Sequence, residues 1–209
     1  MITNLTTIIK RKTLSERHRK MLEEESRISP EVIEARGYWT AETVEELEAD
    51  PSLKPNQHHA PALVLPVFGI DGEYRYSRVR PDNPPPSPLG KYLQPASVPN
   101  VLDVPKTVLD RVLNVEFALA IGEGEKKTDY LASLGYAVIG LFGVWNWSHK
   151  AGKDTPYETQ LLLPDFDHIP LRDRLVSILF DCDLVSNPNI QLAAYRLAQK
   201  LRERGALLW

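Results

Sequence analysis

At 209 residues the chain can hold one sizeable core or two small ones, and 43% hydrophobic with 25% charged residues is the balance of an ordinary globular protein. A net charge of −3 excludes a uniformly basic nucleic-acid coat while leaving room for a local basic face. The single cysteine, Cys182, excludes an intrachain disulfide and a cysteine-based zinc ribbon; with no apolar run near the ~18 residues of a membrane span and no secretory leader, a cytoplasmic protein with no membrane partner is expected.

The first stretch reads as irregular and then helical from Thr13, which stands in capping-box spacing with Glu16. Its charges run from Arg17, Arg19 and Lys20 to Glu23, Glu24 and Glu25, against the helix dipole, so the segment is either a solvated charged face or held by packing. "SPEVIEARGY" predicts a short helix with Ser29 as N-cap, Pro30 in the first turn and Gly37 at the left-handed end. "TAETVEELEAD" predicts another, with Thr40 as its cap.

The period then changes. "PALVLPVFGIDGEYRYSRVRPD" predicts a hairpin turning at Asp71-Gly72. In its second strand Tyr74, Tyr76, Arg78 and Arg80 share one face by alternation. Aromatics interleaved with arginines either stack bases and neutralise phosphates, or form a sheet surface in which tyrosines cover arginine stems. The proline-rich "PDNPPPSPLGKYLQPASVP" that follows can be neither regular helix nor central strand, and Tyr92 within it marks a loop that docks.

From residue 116 the pattern is strand, helix, strand. "FALAI" and "YAVIGLF" flank the helix "EKKTDYLASLG", which ends at Gly135; "RLVSILF" and the helix "NIQLAAYRLAQKLRERG" follow, the latter with Ile190, Ala194, Leu197 and Leu201 on one face and Gly205 at its end. "ALLW" begins a further strand at which the sequence stops, as in a truncated domain. Apolar strands alternating with helices predict parallel crossovers, hence an α/β sheet preceded by a small α+β part with the hairpin; the boundary is expected between residues 1–112 and 113–209.

Three carboxylates stand where these strands end. Asp181 and Asp183, in "LFDCD", lie two apart and so on one side of the chain. Taken alone they read as a strand end followed by a helix cap. Glu123, in "AIGEGEKK", ends the first α/β strand between two glycines. Ligands of open α/β sheets bind beyond the carboxyl ends of the strands. If the two strands are neighbours, Glu123, Asp181 and Asp183 converge and invite a hard divalent cation, Mg²⁺ or Mn²⁺. "GVWNWSHKAGK" adds Trp145 and Trp147, either base-stacking platforms or buried loop anchors. His58-His59 and the Asp165/Asp167 pair are explained by loop and turn chemistry.

Strand-Glu-Gly-helix, then strand-Asp-x-Asp-helix, resembles the Toprim domain shared by bacterial-type primases, topoisomerases and certain nucleases. "IGEGEKKTDYLASLGYAVIGLFGVWNW" with "ILFDCDLVSNP" is most similar to the Toprim-like domain of large phage and plasmid replication proteins, a family largely without assigned function. "ISPEVIEARGY", "LVLPVFGIDGEYRYSRVRPDN" and "KYL" resemble the segment that precedes Toprim in primases, so the likeness runs from about residue 13 onward. It implies a primase-like, metal-dependent nucleotidyl or phosphoryl transfer on DNA, with Glu123 as catalytic acid or base and metal ligand, and Asp181 and Asp183 as metal ligands. It also implies close backbone turns at Gly124 and Gly143. Nucleic-acid or nucleotide contacts fall to Arg78, Arg80, Lys91 and Tyr92, while Lys126 and Lys127 either meet phosphate or solvate their helix. Single-stranded DNA, nucleotides and a helicase domain or protein are the implied partners. The chain departs from primases at Lys127, where they often carry an acid. A Toprim-class nuclease and a non-catalytic nucleic-acid-binding module stand as alternatives.

Overall fold

Hydroxyl caps set the N-terminal helices. In the computed structural model, which describes residues 12–85, 90–149, 160–180 and 186–209, Ser15 Oγ accepts from the His18 amide and opens α1 (Glu16–Lys20). The cap is Ser15 rather than Thr13, because Thr13 is drawn into strand-like pairing: its carbonyl accepts from the Thr40 amide at 2.9 Å. A π-helical turn, Met21–Glu25, continues α1. Ser29 caps α2 (Pro30–Arg36), and Gly37 closes it at φ 74°, as its sequence predicts. Thr40 caps nothing. It lies in β1 (Trp39–Ala41), its hydroxyl accepting from the Ser15 amide, and Thr43 caps α3 (Val44–Glu48) instead.

The hairpin forms as expected: β2 (Ala62–Phe68) and β3 (Tyr74–Pro81) turn at Asp71-Gly72, with Gly72 at φ 78°. With β1 they make an antiparallel sheet of order β1-β2-β3. Consecutive residues Val67 and Phe68 face Tyr76 and Tyr74, so Arg75 is an extra residue in β3. This bulge reverses the alternation. Tyr76 and Arg78 are buried, whereas Tyr74 turns to the other side, where its hydroxyl meets Ser77 Oγ at 3.0 Å. The predicted four-residue face therefore loses Tyr74.

The second half is the α/β unit predicted from its alternating pattern. After α4 (Leu109–Val112), β4 (Leu119–Glu123) leads through α5 (Glu125–Ser133) to β5 (Ala137–Leu141). A small hairpin of β6 (Ser148–His149) and β7 (Leu161–Leu162) precedes β8 (Leu175–Leu179), α6 (Pro188–Glu203) and β9 (Leu207–Leu208). The larger sheet has order β5-β4-β8-β9 and every pair is parallel. Gly135 (φ 81°) and Gly205 (φ 87°) end α5 and α6. The buried stripe of α6 is Ala193, Leu197 and Leu201, one position off the expected Ala194. Among the described residues no helix is long and apolar enough to cross a membrane.

The two sheets share one core, in which Leu63, Leu65 and Ile70 pack with Leu119, Ile121, Val138 and Ile139. A fully buried ion network runs through it. The Arg36 guanidinium donates to Asp103 at 2.8 Å, to the Pro66 carbonyl at 3.1 Å, and to Asp129. Tyr38 Oη donates to the other Asp129 oxygen at 2.6 Å. Asp103 exchanges both backbone hydrogen bonds with Gly140 of β5. One arginine of α2 thus ties β2 to α5 and to the edge of the parallel sheet.

Removing the cation from such a pair leaves the carboxylates uncompensated. Arg36→Met is expected to cost about 3–5 kcal/mol, read by urea denaturation. Burial pushes the Asp129 carboxyl up to about 6, against the pull of Arg36 and Tyr38. The folded protein therefore holds an extra proton there between about pH 4 and pH 6, so this carboxyl's contribution is full below that window and is lost as pH rises through it. The stability difference between wild type and Asp129→Asn should fall across that range; a difference that rises with pH would contradict it.

Candidate active site

Glu123 is the last residue of β4, and β4 lies between β5 and β8. Register places Glu123 beside Leu141 and Gly122 beside Leu179, so the three strands end together at one carboxyl edge. The condition for convergence, that β4 and β8 be neighbours, is met. Asp181 and Asp183 themselves lie outside the described residues, and among the described residues no three His, Cys, Asp or Glu side chains gather as a metal-holding group.

Gly124 makes the turn from β4 into α5. Its φ of 82° and ψ of 145° are accessible to glycine and strained for any residue with a Cβ. Its amide donates to the Leu141 carbonyl at 2.8 Å and its carbonyl accepts from Thr128 Oγ1 at 2.9 Å. The turn is therefore pinned from both sides. Gly143 is not among the glycines at positive φ; its carbonyl accepts from the Asn146 amide in an ordinary loop turn.

The hairpin sheet forms a wall over this edge. Arg78 is only 7% exposed and donates to Glu125, in the first turn of α5, at 2.6 Å. Its guanidinium lies 4.5 Å from the Phe142 ring centroid and 5.1 Å from that of Tyr92. Arg78 is thus buried between the sheets and engaged by Glu125 and two aromatic rings. Tyr92 is half-buried against it, and burial holds its hydroxyl pKa up. Arg80 is half-buried, with one guanidinium nitrogen 3.0 Å from Met21 Sδ.

Three cations collect nearby. Lys126, half-buried in α5, donates to Ser26 Oγ at 3.0 Å. Its pKa is lowered first by burial and then by the like charges of Arg80 and Lys91, with Glu25 opposing. Lys91 is exposed, as is Lys127. Trp147 is fully buried, while Trp145 stays half-exposed in the loop after β5.

Sequence reading missed Glu125, Phe142 and Ser26. Glu125 carried one signal, the second acid of "GEGE" at a strand end, but its arginine partner is 47 residues away. Phe142 and Ser26 gain meaning only through tertiary contact.

Residues 109–208 match a family model described as a domain of unknown function (DUF3854). No curated protein matches the chain. Solved structures do. The Aquifex aeolicus primase, comprising zinc-binding and RNA polymerase domains, aligns at 16% identity and TM-score 0.62 over 93% of this chain and 49% of that one. A DnaG catalytic core aligns at 17% identity and TM-score 0.59, over 91% and 61%. A DnaG primase catalytic domain bound to single-stranded DNA aligns at 15% identity and TM-score 0.54, over 87% and 58%. The fold is that of primase catalytic cores, and the chain spans about half the length of the first of these relatives.

Because like charge lowers the Lys126 pKa, removing a neighbour should raise it toward the usual lysine value. Arg80→Gln and Lys91→Gln should each do so, Arg80→Gln the more, in an NMR titration of the lysine side chain. An unmoved Lys126 pKa in both variants would show that the three cations do not share one site.

Proposed function

We propose that the chain is the Toprim-like core of a primase-like replication protein of a mobile element, acting by metal-dependent nucleotidyl transfer on DNA. The observation that carries this reading is the sheet edge where Glu123 ends β4 between β5 and β8, with Lys126 three residues on in the first turn of α5 and Arg80 and Lys91 within its electrostatic reach. Residues 1–112 supply most of the basic wall and residues 113–209 the acids. The likeness to primase catalytic cores, one of them bound to single-stranded DNA, supports the choice of DNA and nucleotides as partners.

The donor set suits a hard cation. Glu123 stands beside the strand that leads to Asp181 and Asp183, and all three side chains offer oxygen alone. These residues would hold Mg²⁺ or Mn²⁺, which when bound orients phosphate oxygens and offsets their charge. The chain's own residues do the rest. Lys126 and Lys91 attract and position the triphosphate of an incoming nucleotide, and Arg80 narrows the mouth from the hairpin side. In this reading Glu123 takes the proton of the primer 3′-hydroxyl as that oxygen attacks the α-phosphate and pyrophosphate leaves. Arg78 acts through Glu125, fixing the turn at Gly124 on which the aim of Glu123 depends.

Calorimetric titration with Mn²⁺ should give saturable binding in wild type that is lost in Asp181→Asn/Asp183→Asn. With metal, nucleotides and a single-stranded template, wild type should extend or synthesise a primer and Glu123→Gln should lose at least about 100-fold of the rate, the scale of a general acid–base group. Template degradation in place of synthesis would establish the nuclease reading. Metal-independent DNA binding without either reaction would establish a non-catalytic module.

A further inference from the structure

The charge of α6 is at odds with that of the chain. Between Pro188 and Arg204 there are four cations, Arg196, Lys200, Arg202 and Arg204, and one acid, Glu203, in a protein of net charge −3. Lys200 pairs with Glu203 at 2.8 Å and Arg204 with Asp167 at 2.6 Å. Arg196 lies over the ring of Trp145, 5.8 Å from its centroid, and Arg202 is exposed.

The outward stripe of the same helix is aromatic and apolar where a solvated face would be polar. Leu192 is 43% exposed and Tyr195 59%. With Gln199 and Arg202 they follow at helical spacing along one side, and Gln199 Nε2 donates to Tyr195 Oη at 3.0 Å, steadying the ring. Trp145 joins this stripe to the carboxyl edge. It follows β5, whose last residue pairs with Glu123, and its Nε1 donates at 3.1 Å to Asn189 in the first turn of α6.

We infer that the outer face of α6, from Trp145 and Arg196 past Tyr195 to Arg202, is a track for a single strand of nucleic acid running to the carboxyl edge. The inference rests on the proposed reading for its partner and adds a second binding surface, outside the Lys91–Lys126 cluster. A single strand needs two things of a protein: cations for its phosphates and flat rings for its bases. A guanidinium layered on an indole and a tyrosine presented beside it supply both, and the excess positive charge of the helix selects a polyanion over an apolar partner helix.

The test is fluorescence anisotropy of a labelled single-stranded oligothymidylate over a salt series. Arg196→Gln/Arg202→Gln should bind at least tenfold more weakly, with the salt slope lowered by about 1.4 at about 0.7 per phosphate contact on single strands. Tyr195→Ala should weaken binding about fivefold or more while Tyr195→Phe keeps most of it, because stacking needs the ring and not the hydroxyl. None of these three positions is buried, and thermal melts confirm the fold of each variant. If these variants bind as wild type while Lys91→Gln/Lys126→Gln weakens, the track is overturned and the proposed function stands. Wild type that does not bind the oligonucleotide overturns both. Concentration-dependent self-association that Tyr195→Ala abolishes, with DNA affinity unchanged, makes the stripe a protein interface and overturns the track.

Discussion

The buried Arg36 guanidinium is the contact on which the arrangement of the two sheets depends. An antiparallel sheet and a parallel sheet packed by apolar contacts alone can slide over one another, because such contacts are non-directional. Hydrogen bonds to Asp103, Asp129 and the Pro66 carbonyl allow one position. Burial by itself lowers the Arg36 pKa, yet Asp103 and Asp129 more than reverse that and hold the charge in place. Networks of this kind add little net stability over an apolar replacement. Their use here is registry: the hairpin is held above the strand ends whose acids define the candidate site.

Within that frame, the cations divide by depth. Arg36 and Arg78 are buried and held by carboxylates, backbone oxygen or aromatic faces. Arg174 is buried without a carboxylate, its guanidinium donating to the carbonyls of Phe117, Val112, Pro170 and Arg111, and burial brings its pKa down to about 10. It closes the C-terminal turn of α4 on the starts of β4 and β8. Arg80, Lys91 and Lys126 are partly solvated and crowd one another. Like charges are kept close at a cost, and an anion arriving among them relieves it. This contrast in depth is one that residue type and spacing in the sequence cannot show.

Much of the architecture was legible because it rests on local chemistry. Gly37, Gly135 and Gly205 at helix ends, Ser29-Pro30 at a helix start and Asp71-Gly72 in a hairpin each depend on conformational preferences acting within a few residues. The parallel order followed from apolar strands alternating with helices. Errors came where a distant partner outbid a local rule. Thr13 and Thr40 both have cap-like surroundings, but they pair with each other across 27 residues and leave the caps to Ser15 and Thr43. The bulge at Arg75 moved Tyr74 off its expected face, and no composition cue marks it. The Arg78–Glu125 contact was equally invisible, because the two residues are 47 apart and meet only after folding.

The paired Glu123 and Glu125 show how the fold assigns different work to similar groups. One ends β4 and the other begins α5, two residues apart, with Gly124 between them. At Gly124 the backbone leaves the extended path, so the rule that places residues two apart on one side fails there. Glu125 drops into the first turn of α5, reaches Arg78 and is 1% exposed. Glu123 stays half-exposed at the strand end beside β8. A residue with a Cβ at position 124 would disfavour this bend, and with it the separation of a buried carboxylate from a half-exposed one. The different burial of the two acids is therefore a consequence of one glycine, as the sheet registry is of one arginine.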